Sequence, residues 1–83
     1  MVHHDPTTCK FTIENPEGTS WLEYKEDADA VTVLHTVVPK ALSGRGLAGQ
    51  LADAAWTYTK EQHKTIRSEC SYMTAWLKRH GEA

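Results

Sequence analysis

Leu42-Ser43-Gly44-Arg45-Gly46-Leu47-Ala48-Gly49 is the segment whose residue types most clearly suit a ligand. Glycine lets a backbone turn sharply and lets a ligand come close. A helix that starts here leaves its first N–H groups unpaired, and its dipole favours an anion. The segment is a candidate phosphate cradle, with Arg45 adding positive charge. It lacks the GxxxxGK[ST] order. Gly44, Gly46 and Gly49 match GxGxxG by letters, but no acidic residue about 20 positions on follows a second strand of such a unit. A glycine-rich turn without a ligand fits the same residues.

Cys70 and His35 are the second candidate. A cysteine reacts as its thiolate, and a neighbouring histidine can help to form it. Both types also occur as ordinary packing residues. His3, His4, His63 and His80 complete the histidines, and no HxH or HxxxH spacing occurs, so no metal site is expected. Trp21, Trp56 and Trp76 are spaced like core or groove-lining residues. Ser20 and Glu23 near Trp21 do not make a basic stacking platform for nucleic acid.

These groups need elements to position them. Residues 10–14 alternate apolar and polar and predict a strand, and Asn15-Pro16-Glu17-Gly18 predicts a turn. Residues 20–25 predict the returning strand of a hairpin. Residues 30–38 are the most β-rich and put apolar groups on both faces, so a central strand is expected, ended by Pro39. Leu47, Leu51, Ala54 and Tyr58 fall on one helical face, widened by Ala48, Ala52 and Ala55. Residues 65–70 predict a fourth strand. Ser71 is a candidate cap for a last helix carrying Met73, Trp76, Leu77 and His80, with Gly81 as its stop. The order β-β-β-α-β-α contains one β-α-β crossover. It predicts an α+β fold, largely antiparallel, with one parallel strand pair flanked by helices. Ligands in such a unit bind where the crossover helix begins. That brings residues 36–48 and 70–72 together.

The chain of 83 residues is long enough for one domain with a small core. Residues 1–9 are expected to be a flexible lead-in, 10–80 the domain and 81–83 a tail. A net charge of −2 argues against a general nucleic-acid binder. The charge is divided: residues 1–33 hold two basic and seven acidic side chains, and residues 34–83 hold seven basic and four acidic. A phosphate-bearing ligand suits the second part and a cationic one the first. No apolar run is long enough to span a membrane, and Met1–Lys10 has no signal-peptide pattern. Cys9 and Cys70 form no paired motif, so free thiols in a reducing cytoplasm are expected, with a disulfide between them left open.

His35-Thr36-Val37-Val38-Pro39, then Gly44-Arg45-Gly46-Leu47-Ala48, then Cys70-Ser71-Tyr72, resemble the small single-domain GNAT-like N-acetyltransferases. In that group an HTxVP strand end, a GxGxA turn and a CSY segment follow in this order, and the likeness covers about residues 10–80. The resemblance implies a minimal acetyl-coenzyme A-binding fold without the N-terminal helices of larger members. It implies a pyrophosphate loop at Ser43, Gly44, Arg45, Gly46, Leu47, Ala48 and Gly49. Gly46 and Ala48 match the last positions of [Q/R]-x-x-G-x-[G/A], while Ser43 stands where Gln or Arg is usual, and Arg45 is the candidate substitute. It implies that the pantetheine arm pairs with the backbone of Val37 and Val38, and that Cys70 and His35 are the active-site residues.

The implied reaction is acetyl transfer from acetyl-CoA to an unidentified amine, a small molecule or a lysine-bearing protein, by a monomer or weak homodimer. Two routes fit: Cys70 carries the acetyl group with His35 as base, or the amine attacks the thioester directly. A non-catalytic coenzyme A-binding module and a small interaction domain are the alternatives.

Overall fold

The computed structural model describes residues 1–80. Strands β1 (His3–Asp5), β2 (Lys10–Asn15), β3 (Gly18–Glu26) and β4 (Ala30–Val37) precede a short turn of 3-10 helix at Lys40–Leu42. Helix α1 (Leu47–Glu61), strand β5 (Thr65–Ser68) and helix α2 (Ser71–Arg79) follow. The sheet runs β1-β2-β3-β4-β5, with β4 and β5 parallel and every other pair antiparallel. This is the expected α+β architecture with an added edge strand.

Alternation along the strands decides what α1 covers. Phe11, Ile13, Leu22, Tyr24, Val31 and Val33 are buried and share one face of the sheet, here the inner face. Leu51, Ala52 and Ala55 of α1 are buried against it, and the alanines let the helix lie close. Met73, Trp76 and Leu77 of α2 join the same core. Ala30 and Thr32, on the outer face by register with Lys25, are buried too. The first half of β4 is thus covered on both sides, as its composition predicts. Its second half is not: His35 and Val37 are exposed.

Three expectations are corrected. Residues 1–9 are not a loose lead-in throughout, because His3–Asp5 pairs with β2. The reason is His4. Its ring stacks on Phe11 at 4.1 Å and meets Tyr58 edge-on, and its Nε2 lies 2.6 Å from the Tyr24 hydroxyl. Second, β5 ends at Ser68 rather than Cys70. Third, Cys70 and not Ser71 holds the N-cap position of α2. Both cysteines are free thiols. Gly81, the expected helix stop, and the tail 81–83 lie outside the described residues.

The His4 contact makes stability depend on pH. Burial lowers the affinity of the folded His4 ring for a proton, against the pull of Glu26 and Asp5. An unfolded His4 takes up its proton as the pH falls through its ordinary value of 6.5, and the folded ring resists until lower pH. Folding is therefore favoured above pH 6.5 and weakens below it. Thermal melts from pH 7.5 to 5.5 should show this loss, and His4→Gln should flatten it; an unchanged pH slope in that variant would remove His4 as the cause.

Candidate functional site

β4 and β5 pair in register from Ala30 with Thr65 to Val33 with Ser68. One more bond follows, from the Glu69 N–H to the Val33 carbonyl at 2.8 Å. The strands then part. β5 gives way to α2, while β4 runs on to Val37. The β4 backbone past Val33 therefore has an edge with no strand beside it. Such an edge can pair with an extended ligand.

A β-bulge lies at the same place. Tyr24 opposes Val33 and Glu23 opposes His35, which leaves Leu34 as the extra residue. A bulge shifts the phase of the alternation. Val33 and Thr36 both take the inner face, as their partners Tyr24 and Leu22 do, and His35 is turned to the outer face with Glu23.

Cys70 reaches the inner side of this strand. Its sulfur lies 3.5 Å from the Thr36 Oγ1. Burial pushes the thiol up. The nearby Met73 N–H, the Thr36 hydroxyl, and the Tyr72 and Thr36 backbone favour the thiolate more, so the net shift is downward, although the sulfur makes no capping hydrogen bond to the helix. Met73 and Tyr72 belong to the first turn of α2, where N–H groups have no partner inside the helix. Ser68 fixes the approach, since its Oγ accepts from the Cys70 N–H and donates to the Cys70 carbonyl. The expected Cys70–His35 pair is not hydrogen-bonded: the two residues stand by opposite faces of β4, and His35 makes no side-chain bond among the described residues. What favours the thiolate is the helix start and Thr36.

The glycine-rich segment supplies a second cluster of donors. Gly44 and Gly46 have φ of 83° and 75°, and a Cβ on either would meet nothing within 4 Å. Glycine is needed there for backbone conformation rather than for space. Gly46 is the N-cap of α1, with no side chain capping it and no acidic residue in the first turn. The first bond of the helix is from the Gln50 N–H to the Gly46 carbonyl, so the N–H groups of Leu47, Ala48 and Gly49 remain open to an anion.

A cavity of about 280 Å³ lies at this helix start, lined by Val38, Ser43, Gly44, Gly46, Leu47, Ala48 and Gly49, with Leu42 and Tyr72. Tyr72 follows Cys70 and ties the two clusters together. Its hydroxyl would sit 3.5 Å from a Cβ on Gly49. Two expected residues stand apart. Val37 is paired with Trp21 on the outer face. Arg45 makes an exposed ion pair with Glu17 of the β2–β3 turn at 3.4 Å. Ser43 donates to the Lys40 carbonyl at 2.9 Å, so its hydroxyl closes the 3-10 turn. Thr36 and Glu17 were not singled out from the sequence. A threonine near a strand end carries no distinguishing signal, and Glu17 meets Arg45 only through the fold.

A family model of GCN5-related N-acetyl-transferases matches residues 10–83. The chain belongs to that family. No curated protein gives a significant match. Among the described residues no helix is long and apolar enough to cross a membrane.

Two measurements test this geometry. Iodoacetamide labelling of Cys70, resolved by mass spectrometry, should titrate with a midpoint below the ordinary thiol value of 9.0. Thr36→Val should move that midpoint up; no movement would remove Thr36 as a cause. Glu17→Gln releases Arg45 beside the helix start. It should leave the melting temperature nearly unchanged, because exposed ion pairs contribute only about 0–1 kcal/mol. It should also tighten coenzyme A binding by calorimetry, and weaker binding would mean that the ion pair orders the loop.

Proposed function

We propose that this GCN5-related N-acetyltransferase acetylates a primary amine from acetyl-coenzyme A, with Cys70 as acetyl carrier and His35 as base. The observation that carries it is the unpaired edge of β4 with the Cys70 sulfur against it, next to the open start of α1. Open N–H donors, positive φ at two glycines and an acid-free first turn fit a diphosphate. In this reading the segment 43–49 holds the phosphates, and the backbone at Val37 and Val38 takes the extended arm. Bound acetyl-coenzyme A supplies the acetyl group as an activated thioester.

Cys70, as thiolate, attacks the carbonyl carbon and forms a new C–S bond, and the departing sulfur leaves with its electron pair and takes a proton from water. The amine nitrogen then attacks the Cys70 thioester. The C–S bond breaks back to the Cys70 thiolate, and the proton lost by nitrogen passes to His35. N–H groups at the parted strands stabilise the oxyanion in each step. The downward shift of the Cys70 thiol supports the first step without help from His35. The outer position of His35 supports entry of the amine from the face opposite α1. That same separation favours a second route, in which an amine deprotonated by His35 attacks the coenzyme thioester and Cys70 is not acylated. Two free thiols suit a reducing compartment, and we assign the protein to the cytoplasm.

The test is intact-protein mass spectrometry after mixing with acetyl-coenzyme A. Wild type should gain one acetyl group of about 42 Da and Cys70→Ala should not. Amine acetylation without labelling, retained in Cys70→Ala, would establish the direct route. Coenzyme binding with no transfer to any amine would make the chain a coenzyme-binding module, and no binding would end the acetyltransferase reading.

A further inference from the structure

The outer face of the sheet, beside the open end of β4, carries an arrangement that the coenzyme site does not use. Cross-strand partners share a face. Glu23 opposes both Lys10 on β2 and His35 on β4, and Trp21 opposes Val37. Trp21, Glu23, His35 and Val37 therefore form one patch over the end of β3 and β4. Glu23 is half-buried and makes no hydrogen bond or ion pair among the described residues. Of the other carboxylates on this face, Glu69, which follows β5, is paired with Lys25 at 3.5 Å, and Asp5 and Glu14 stand over β1 and β2 rather than beside the open end of β4. Trp21 is half-buried, and the Lys10 ammonium stands 5.9 Å from its ring centre. Lys10 lies directly across from Glu23, yet its ammonium stands over the ring and makes no ion pair with the carboxylate. The ring thus already accepts an alkylammonium group, and the carboxylate beside it has none.

We infer that Trp21 and Glu23 form the acceptor subsite, and that the acceptor is an alkyl amine that arrives as its ammonium ion. This deepens the acetyltransferase reading and rests on it. The unpaired Glu23 carboxylate attracts the ammonium, and the Trp21 ring offers a cation–π contact. His35, on the strand directly opposite Glu23, takes the ammonium proton and releases it to water, so it is free again for the second proton that the nitrogen loses on attack. The neutral nitrogen keeps its lone pair for the acetyl carbon, and the imidazolium stands next to the Glu23 carboxylate. A neutral aromatic amine gains nothing from either group. Lys10 is a resident competitor for the ring, so its removal has the opposite sign to the removal of Glu23.

The test uses the whole chain, with putrescine as the cationic probe and aniline as the neutral one. Acetyl-coenzyme A binding is measured by calorimetry in every variant. Glu23→Gln should raise the KM for putrescine about tenfold, from loss of a close charge pair. It should leave the KM for aniline and the coenzyme affinity within about twofold. Trp21→Leu, which keeps an apolar side chain, should raise the putrescine KM by a few-fold, and Lys10→Met should lower it. Asp53→Asn, an equal change of charge on the far side of α1, should do nothing. Weaker direct binding of putrescine to Glu23→Gln, read by calorimetry without coenzyme, gives a measure independent of turnover. Equal putrescine KM and binding in wild type and Glu23→Gln would overturn the inference. So would coenzyme binding with aniline acetylated and putrescine ignored, and in both cases the acetyltransferase reading would stand. Absence of coenzyme binding in wild type would remove that reading, and this one with it.

Discussion

β4 cannot pair with β5 along its whole length, because β5 stops at Ser68 while β4 runs on to Val37. The candidate site gathers at that mismatch. A parallel pair that ended flush would satisfy its backbone and leave no place for an extended ligand. Here the strand continues past its partner, and the β5 chain turns away to start α2. The first turn of α2 then begins at Cys70, whose sulfur meets Thr36 of β4. The cost of unpaired backbone is thus incurred where a ligand can relieve it.

The Leu34 bulge gives this opening two sides. In a regular strand with Leu34 in the ladder, His35 would share a face with Val33 and with the Cys70 sulfur. With the bulge, Thr36 takes that place and His35 looks outward beside Glu23. One bulged residue puts the Cys70 sulfur and the His35 ring on opposite sides of β4. A nucleophile and a base on one side would compete for the same small volume. On opposite sides, the thioester and the amine of the proposed reaction have separate approaches to one gap in the sheet.

How far this was legible in the sequence follows from the range of each interaction. The helix face of Leu47, Leu51 and Tyr58, the turn at Pro16 and Gly18, and the strand end at Pro39 are local patterns, and each element formed where its pattern lies. The crossover that brings Thr36 near Cys70 followed from element order alone. Two features did not. Leu34 is as good a strand residue as its neighbours, and its role as the bulged residue comes from the register against β3. His4 reads as part of a polar terminus, and only the Phe11, Tyr24 and Tyr58 rings that the fold collects around it make a strand of His3–Asp5. Proximity in sequence also misled. His35 and Cys70 fall at the ends of neighbouring strands, and strand ends alone do not say which face a side chain takes.

The glycine loop shows why a missing side chain need not mean a missing site. Ser43 stands where a long polar residue is usual in the family motif, and its hydroxyl is committed to the Lys40 carbonyl. It closes the turn that brings Leu42 into the core and aims the chain at Gly44. The donors that matter to an anion are backbone N–H groups, and these depend on the left-handed Gly44 and Gly46, not on position 43. Arg45 is close enough to contribute charge, but it is held by Glu17 from the β2–β3 turn. That turn is itself fixed by Gly18, whose added Cβ would meet the Pro39 ring at 3.3 Å. The end of β4, the hairpin turn and Arg45 therefore meet at one corner of the molecule.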